Sequence, residues 1–284
     1  MREGKARYLF LMPSVCWILV FTIFPLVYAA RLSFFSFQLG RGMSFIGGWN
    51  YVDVFNYSRF WNSIITTFFI AAVSVSVETG LGLLLALHFG REMPGNKIFR
   101  SLLSMPLFAT PVAVGFLGLT IFYERYGPAN LFMSLFGLQV PWLSNTFWAK
   151  MSVIILDTWI WTPFCFLVFL AGVHSIPEEM YEVAYLDTQS RLKIFRFITL
   201  PLLSPLIGII VILRLIEALK IFGLPYSLTT GGPGTATEVY PILVYRMALK
   251  HFDFGYASAL GFVFLAIVMT IVITFFKRLR RIYE

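Results

Sequence analysis

The stretch GYASALGFVFLAIVMTIVITFF, residues 255–276, carries no charged side chain, and the basic run KRLRR, residues 277–281, follows it at once. As a helix it rises about 33 Å at 1.5 Å per residue, enough to cross roughly 30 Å of hydrocarbon. Apolar and polar residues do not alternate along it, which excludes a membrane β-strand. In lipid the backbone must satisfy its own hydrogen bonds, and a single segment does that only as a helix.

Five more apolar stretches have the same character, at 8–30, 62–88, 101–123, 148–172 and 202–222. Of the 284 residues 58% are hydrophobic and 13% charged, and the mean hydropathy is +0.80. A soluble domain carries about 25% charged residues, so the excess apolar surface faces lipid. The sequence therefore predicts an all-α polytopic membrane protein, a single transmembrane domain over 1–284 with six transmembrane helices. The first run follows Arg2, Lys5 and Arg7 as a signal peptide would, but it exceeds twenty residues and no small-x-small cleavage site closes it. It reads as an uncleaved first span.

The cations orient the helices. With the N-terminus inside, thirteen of the 22 Lys and Arg fall in inside segments: Arg2, Lys5, Arg7; Arg91, Lys97, Arg100; Arg191, Lys193, Arg196; Lys277, Arg278, Arg280, Arg281. Seven fall outside and two, Arg214 and Lys220, lie in the fifth span. That bias predicts both termini in the cytoplasm, in the cell inner membrane. Cations that flank spans set topology, so the net charge of +8 does not indicate a nucleic-acid partner. Cys16 and Cys165 lie in apolar runs and suggest neither disulfides nor a metal site.

Two segments between spans are long. One, 223–254, contains Thr229-Thr230-Gly231-Gly232-Pro233-Gly234. The other, the inside loop 173–200, reads HSIPEEMYEVAYLDTQSRLKIFRFITLPLLSP from 174 to 205. Ser175 with Glu178 has capping-box spacing, and Pro177 suits a first turn. Ile176, Met180, Val183 and Ala184 fall on one helical stripe, while Glu178, Glu179, Glu182 and Asp187 are acidic. A second short helix starts near Ser190 with Leu192, Phe195 and Ile198. An acidic amphipathic hairpin is unwelcome beside anionic lipid heads and suits a protein partner better.

Glu182-x-Ala184-x-x-Asp187 followed by Phe195-x-x-Ile198-x-Leu200-Pro201-x-Leu203 resembles the EAA loop of permeases from binding-protein-dependent ABC importers. The resemblance extends to Pro163-Phe164, Leu170-Ala171-Gly172, Arg214-x-x-Glu217-Ala218-x-Lys220, Thr229-x-Gly231-Gly232-Pro233 and Phe252-Asp253-Phe254-Gly255, closest to the maltose/glycerol-3-phosphate group. Three positions depart from it: the family usually has Ala, Gly and Ala where this chain has Val183, Thr188 and Gln189. The resemblance implies a cytoplasmic coupling helix between helices four and five that docks on an ATPase through Glu182, Ala184, Asp187, Leu200 and Pro201. It implies a heterodimer with a second permease, two ATPase subunits that hold ATP and magnesium, and an external solute-binding protein. Gly231 and Gly232 before Pro233 allow a tight turn close to other backbone, and this turn is expected to lie against the docked binding protein or at the cavity mouth. The resemblance further implies that the cargo is a sugar or sugar-like solute. The chain has no G-x-x-x-x-G-K-[ST] phosphate cradle of its own, which agrees with a separate ATPase partner; the expectation is a transport subunit that holds no cofactor and is not itself an enzyme.

Glu78, Asp157, Arg214, Glu217 and Lys220 lie in or near spans, where each charge costs on the order of 3 kcal/mol at the bilayer centre. Arg214, Glu217 and Lys220 are three apart and predict a row in which Glu217 bridges both cations. That row is either a polar lining for cargo or an ion-paired strut. Asp157, Trp161 and Phe164 share a face of span four, where an acid beside aromatic rings suits a sugar and also suits ordinary packing. The competing function is an ion-coupled secondary transporter of a small polar solute, for which inverted repeats and matched broken helices are the expected signs.

Overall fold

The computed structural model describes residues 2–90 and 96–283, and side chains over 10–90 and 97–278. Arg91, one of the cations used for orientation, lies outside the described residues. The chain divides into two compact units, residues 1–61 with 243–267 and residues 62–242 with 268–284.

In the first unit, α1 (Arg2–Ile18) passes through a π-turn (Leu19–Ile23) into α2 (Phe24–Leu32). A short antiparallel hairpin, β1 (Phe35–Ser36) and β2 (Ser44–Phe45), and α3 (Trp49–Asn56) follow. Asn50, buried, fastens α3 to the chain leaving α2 by donating to the carbonyls of Ser33 (2.8 Å) and Phe35 (3.0 Å). The start of α14 (Phe254–Tyr283) docks on the same hairpin through the Phe254 N–H to the Phe37 carbonyl, 2.9 Å. A Cβ at Gly255 would overlap the Phe35 carbonyl, so glycine is what lets the two backbones meet there.

The second unit contains α4 (Ser58–Phe89) from its second turn onward, α5 (Asn96–Ser104), α6 (Pro111–Ile121), α7 (Pro128–Ser134), α8 (Thr146–His174), α9 (Glu178–Asp187), α10 (Arg191–Ile194), α11 (Leu200–Leu219) and α12 (Gly223–Thr229). Helix α13 (Tyr240–Leu249) then leads into α14. Asn145 caps α8 by accepting from the Phe147 N–H at 2.9 Å. Among the described residues five helices are long and apolar enough to cross a membrane: Phe10–Leu32, Ser58–Phe89, Thr146–His174, Arg191–Leu219 and Phe254–Arg278.

The third predicted span, 101–123, is not one helix. Helix α5, a 3-10 turn (Met105–Phe108) and α6 meet at 99°. Pro106 and Pro111 remove donors, and Thr110, which precedes a proline, is extended (φ −71°, ψ 135°), as a residue in that position prefers. The pair still crosses from one end of the bundle to the other. The α5 end lies at the C-terminus of α4, where the Phe99 and Phe89 rings stack at 4.0 Å and Arg100 Nη2 donates to the Phe89 carbonyl at 2.6 Å. The α6 end packs on α12, which follows the far end of α11. It is therefore a broken sixth span.

Glycine makes the α6–α12 contact possible. A Cβ on buried Gly115 would overlap Ser227 Oγ and lie 2.8 Å from the Leu224 carbonyl oxygen. The serine can turn away; the backbone carbonyl cannot. Gly115→Val should therefore cost about 1–3 kcal/mol, the usual price of overpacking, read as a lowered thermal midpoint of the purified chain. An unchanged midpoint would show that α6 is not wedged against α12.

At the loop after α8, the expected capping box does not form. Ser175 Oγ donates back to the Gly172 carbonyl at 2.7 Å, and α9 starts behind Pro177 with no side-chain cap. The serine closes α8 because its hydroxyl reaches the preceding turn more easily than the N–H groups beyond the proline. Ser190 does cap α10, accepting from the Lys193 N–H. Thr188 takes an extended backbone and accepts from the Ser190 N–H at 3.2 Å. This side-chain-stapled turn stands where the family's glycine would allow a bend. Helix α10 runs on through a π-turn (Phe195–Thr199) into α11, so the short second helix and the fifth span are continuous.

Candidate functional site

Three long helices of the second unit meet at a buried cluster of charge. Glu78 on α4, Asp157 on α8 and Arg214 on α11 are 0%, 3% and 1% exposed. Arg214 Nε donates to Glu78 Oε2 at 2.6 Å and Nη2 donates to Glu78 Oε1 at 2.9 Å, a two-pronged grip. The same Nη2 donates to Asp157 Oδ2 at 3.2 Å. The Trp161 ring, one turn along α8 from Asp157, covers the guanidinium with its centroid 4.3 Å from Cζ. Planar guanidinium is suited to this double role of bidentate pairing and ring stacking. Arg214 Nη1 has no protein partner among the described residues.

This arrangement corrects the predicted row on α11. Glu217 does not bridge Arg214 and Lys220. It accepts from Lys220 Nζ at 2.8 Å, and the two side chains are 49% and 54% exposed. Each step of three residues turns about 60° around a helix axis, so a row beginning inside at Arg214 has reached the surface by Lys220. An exposed pair of this kind is worth about 0–1 kcal/mol. Asp157 is likewise not free for a solute, because Arg214 occupies it. Trp161 and Phe164 are half-buried, with their rings edge-to-face at 6.2 Å.

The loop between α8 and α11 is exposed in the opposite sense. Only Ala184 of the predicted stripe is buried; Met180 is 41% and Val183 61% exposed. Leu186, Leu192 and Phe197 add further uncovered apolar surface. Glu182, Asp187 and Pro201 are exposed and Leu200 is half-buried. Tyr181 Oη and Thr199 Oγ1, 3.2 Å apart, tie α9 to the base of α11.

The turn after α12 folds inward. Thr230 takes a left-handed backbone (φ 52°) and Gly231 φ 91°. Thr237 Oγ1 donates to the Gly232 carbonyl at 2.8 Å. Asn62 Nδ2, near the start of α4, donates to the Thr235 carbonyl at 2.9 Å, and the Tyr240 N–H donates to Thr67 Oγ1 at 2.7 Å. Gly231 is buried by this, while Gly232 and Pro233 are half-buried and Thr230 is exposed. On the same side, Glu124 accepts from the N–H groups of Leu143 (3.0 Å) and Ser144 (2.8 Å). Burial raises its carboxyl, but these donors and the Ser144 hydroxyl outweigh that and hold it below its ordinary value.

Residues 78–284 match the family model of the binding-protein-dependent transport system inner membrane component. The chain belongs to that family. A probable ABC transporter permease of Sinorhizobium fredii is 36% identical over 92% of this chain and 86% of its own length. The trehalose/maltose transport system permease MalF of Thermococcus litoralis is 35% identical over 99% of this chain and 96% of its own. A solved bacterial ABC transporter involved in import of the acidic polysaccharide alginate superimposes with a TM-score of 0.87. It has 26% identity and covers 100% of this chain and 98% of that one.

In this inner-membrane transport component the residue that sequence reasoning undervalued is Glu78. The signal was present, since an acid deep in an apolar span requires a partner. Arg214, however, was matched with its neighbour in sequence rather than with an acid 136 positions away.

Proposed function

We propose that the chain is one of two permease subunits of an ATP-driven importer and forms part of the membrane pathway for a sugar or sugar-like solute. An external binding protein delivers the solute. The observation that carries this is the loop from α9 to α11. In a chain of this family, it presents uncovered apolar and acidic side chains at the end of the bundle away from α12. In this reading the termini and the loop are cytoplasmic, and α9 is the coupling helix. Glu182 and Asp187 are its polar contacts, with Ala184, Leu200 and Pro201 shaping its seat, on a separate ATPase that holds ATP and magnesium. The similarity to a trehalose/maltose permease over nearly the whole chain supports the sugar assignment.

The buried cluster then acts as a strut: Arg214 with Glu78 and Asp157 fixes α11 against α4 and α8 and lets them move together. Solute contacts are left to the half-exposed Trp161 and Phe164 and to the exposed Glu217 and Lys220. Thr230, Gly232 and Pro233 stand at the external end for the binding protein. The test is uptake of labelled maltose into proteoliposomes holding the complete complex. Uptake should require ATP inside and survive collapse of the membrane potential. Uptake that persists without ATP and follows an ion gradient would identify a secondary transporter instead.

A further inference from the structure

Within the second unit, the chain between α6 and α8 carries no charged side chain from Tyr126 to Ala149, and α7 with the turn after it is built inside out. Asn130, the amide residue of α7, is buried. It donates to the carbonyls of Glu124 (2.8 Å) and Val140 (2.9 Å), and its Oδ1 accepts from the Val140 N–H (3.0 Å) and Trp142 Nε1 (2.9 Å). Trp142 is buried in turn and meets the Phe122 ring with centroids 5.1 Å apart. Ala129 and Met133 pack on the same core. The large apolar residues are the uncovered ones: Leu131, Phe132, Leu135 and Phe136 are between 57% and 77% exposed.

We infer that this knuckle, residues 126–137, is a membrane anchor that seats its leucines and phenylalanines at the boundary between lipid headgroups and acyl chains. A contiguous apolar patch of this kind marks a membrane or protein contact, and lipid is the solvent in which a buried amide with leucine and phenylalanine outside is the favourable arrangement. The backbone suits that solvent. The N–H groups of Leu135, Phe136 and Gly137 donate to the carbonyls of Phe132, Met133 and Ser134 at 3.2, 3.0 and 3.0 Å, and the Ser134 hydroxyl donates to the Leu131 carbonyl at 2.7 Å. A turn whose donors are satisfied internally can leave water. Tyr123 and Tyr126, both exposed, supply the amphipathic rings that favour a membrane interface.

Chain length keeps the knuckle at the membrane surface. Six residues, 122–127, separate α6 from α7, and the long span α8 starts at Thr146. Helix α6 has 11 residues and rises only about 16 Å, half of the roughly 30 Å of hydrocarbon. This half of the broken span needs a grip of its own at that surface, and the Asn130 network makes the grip rigid. A soluble partner that docks and leaves is met by a polar rim, which a charge-free knuckle lacks. The inference rests on the broken span and not on the identity of the solute.

The test uses the full chain in phospholipid nanodiscs, then the assembled complex, with a nitroxide spin label as the probe. Cys16 is exposed and is replaced by serine; Cys165 is buried and takes no label. A nitroxide at Leu131→Cys or Leu135→Cys should relax faster with oxygen, which concentrates in lipid, than with a water-soluble nickel chelate. In the chain alone, the order should reverse at Glu179→Cys on α9. Phe136→Asp should abolish the oxygen preference at position 131, and Phe136→Leu, which stays apolar, should keep it. Faster relaxation with nickel than with oxygen at both 131 and 135 overturns the inference, as does an oxygen preference that Phe136→Asp leaves intact. Exclusion of both reagents in the assembled complex would make the knuckle a contact with the second permease, and the anchor falls. It falls equally if both reagents are excluded only when the external binding protein is added, since the knuckle would then be that protein's docking surface.

Discussion

Arg214→Met is expected to lower the stability of the folded chain by about 3–5 kcal/mol, the range for removing one partner of a buried ion pair. Folded domains are stable by only about 5–15 kcal/mol, so the variant should assemble poorly. The cause is the charge count in a dry site: Glu78 and Asp157 both lean on one guanidinium, and its loss strands two carboxyls among apolar helices. The acids are not equivalent to the base. Glu78→Gln keeps an oxygen for Arg214 and leaves the Arg214–Asp157 contact at 3.2 Å, so it should cost less, about 1.5–3 kcal/mol, near the loss of one charge-assisted hydrogen bond. Neutralising all three positions together should recover part of the loss from Arg214→Met, because no charge is then left unpaired. Thermal unfolding of each variant in detergent checks the order. Arg214→Met within 1 kcal/mol of wild type would sink the strut.

The same cluster shows how far the sequence can be read. Apolar length was enough to mark the long helices, because it is a local requirement of a chain in lipid. The pairing of Arg214 was not legible. If the row on α11 were an ion-paired strut, as its spacing allows, exchanging Arg214 and Glu217 should partly restore function; in the folded chain it should not, because position 217 is 49% exposed and position 214 faces two acids. Helical spacing says which residues share a face of one helix. It does not say which face meets which helix, and that is fixed by packing such as Gly82 against Cys165, where a Cβ would lie 2.5 Å from the cysteine Cβ. Pro106 and Pro111 marked a weak point in the third span, but the 99° bend also depends on where α5 and α6 find partners.

The other large effect belongs to the loop that the family resemblance singled out. Leu186 is 86% exposed on α9 and contributes almost nothing to the fold of this chain. Leu186→Asp should therefore leave thermal stability unchanged. If α9 seats in an ATPase, burying that leucine is worth about 1.5–3 kcal/mol, and an aspartate there must also be desolvated without a partner. Retention of the ATPase subunits on purification should fall by at least about tenfold, the equivalent of 1.4 kcal/mol, and uptake should fall with it. Glu182→Lys should uncouple by a different route. Glu182 is exposed, and no hydrogen bond or ion pair holds it among the described residues, so the reversed charge acts only on what docks there. Leu138→Asp, an exposed leucine at the opposite end of the bundle, is the control and should leave ATPase retention intact. Normal uptake and normal ATPase retention in both Leu186→Asp and Glu182→Lys would remove α9 as the coupling helix. Loss of retention in Leu138→Asp as well would show that the effect is a general fault of assembly rather than a contact made at α9.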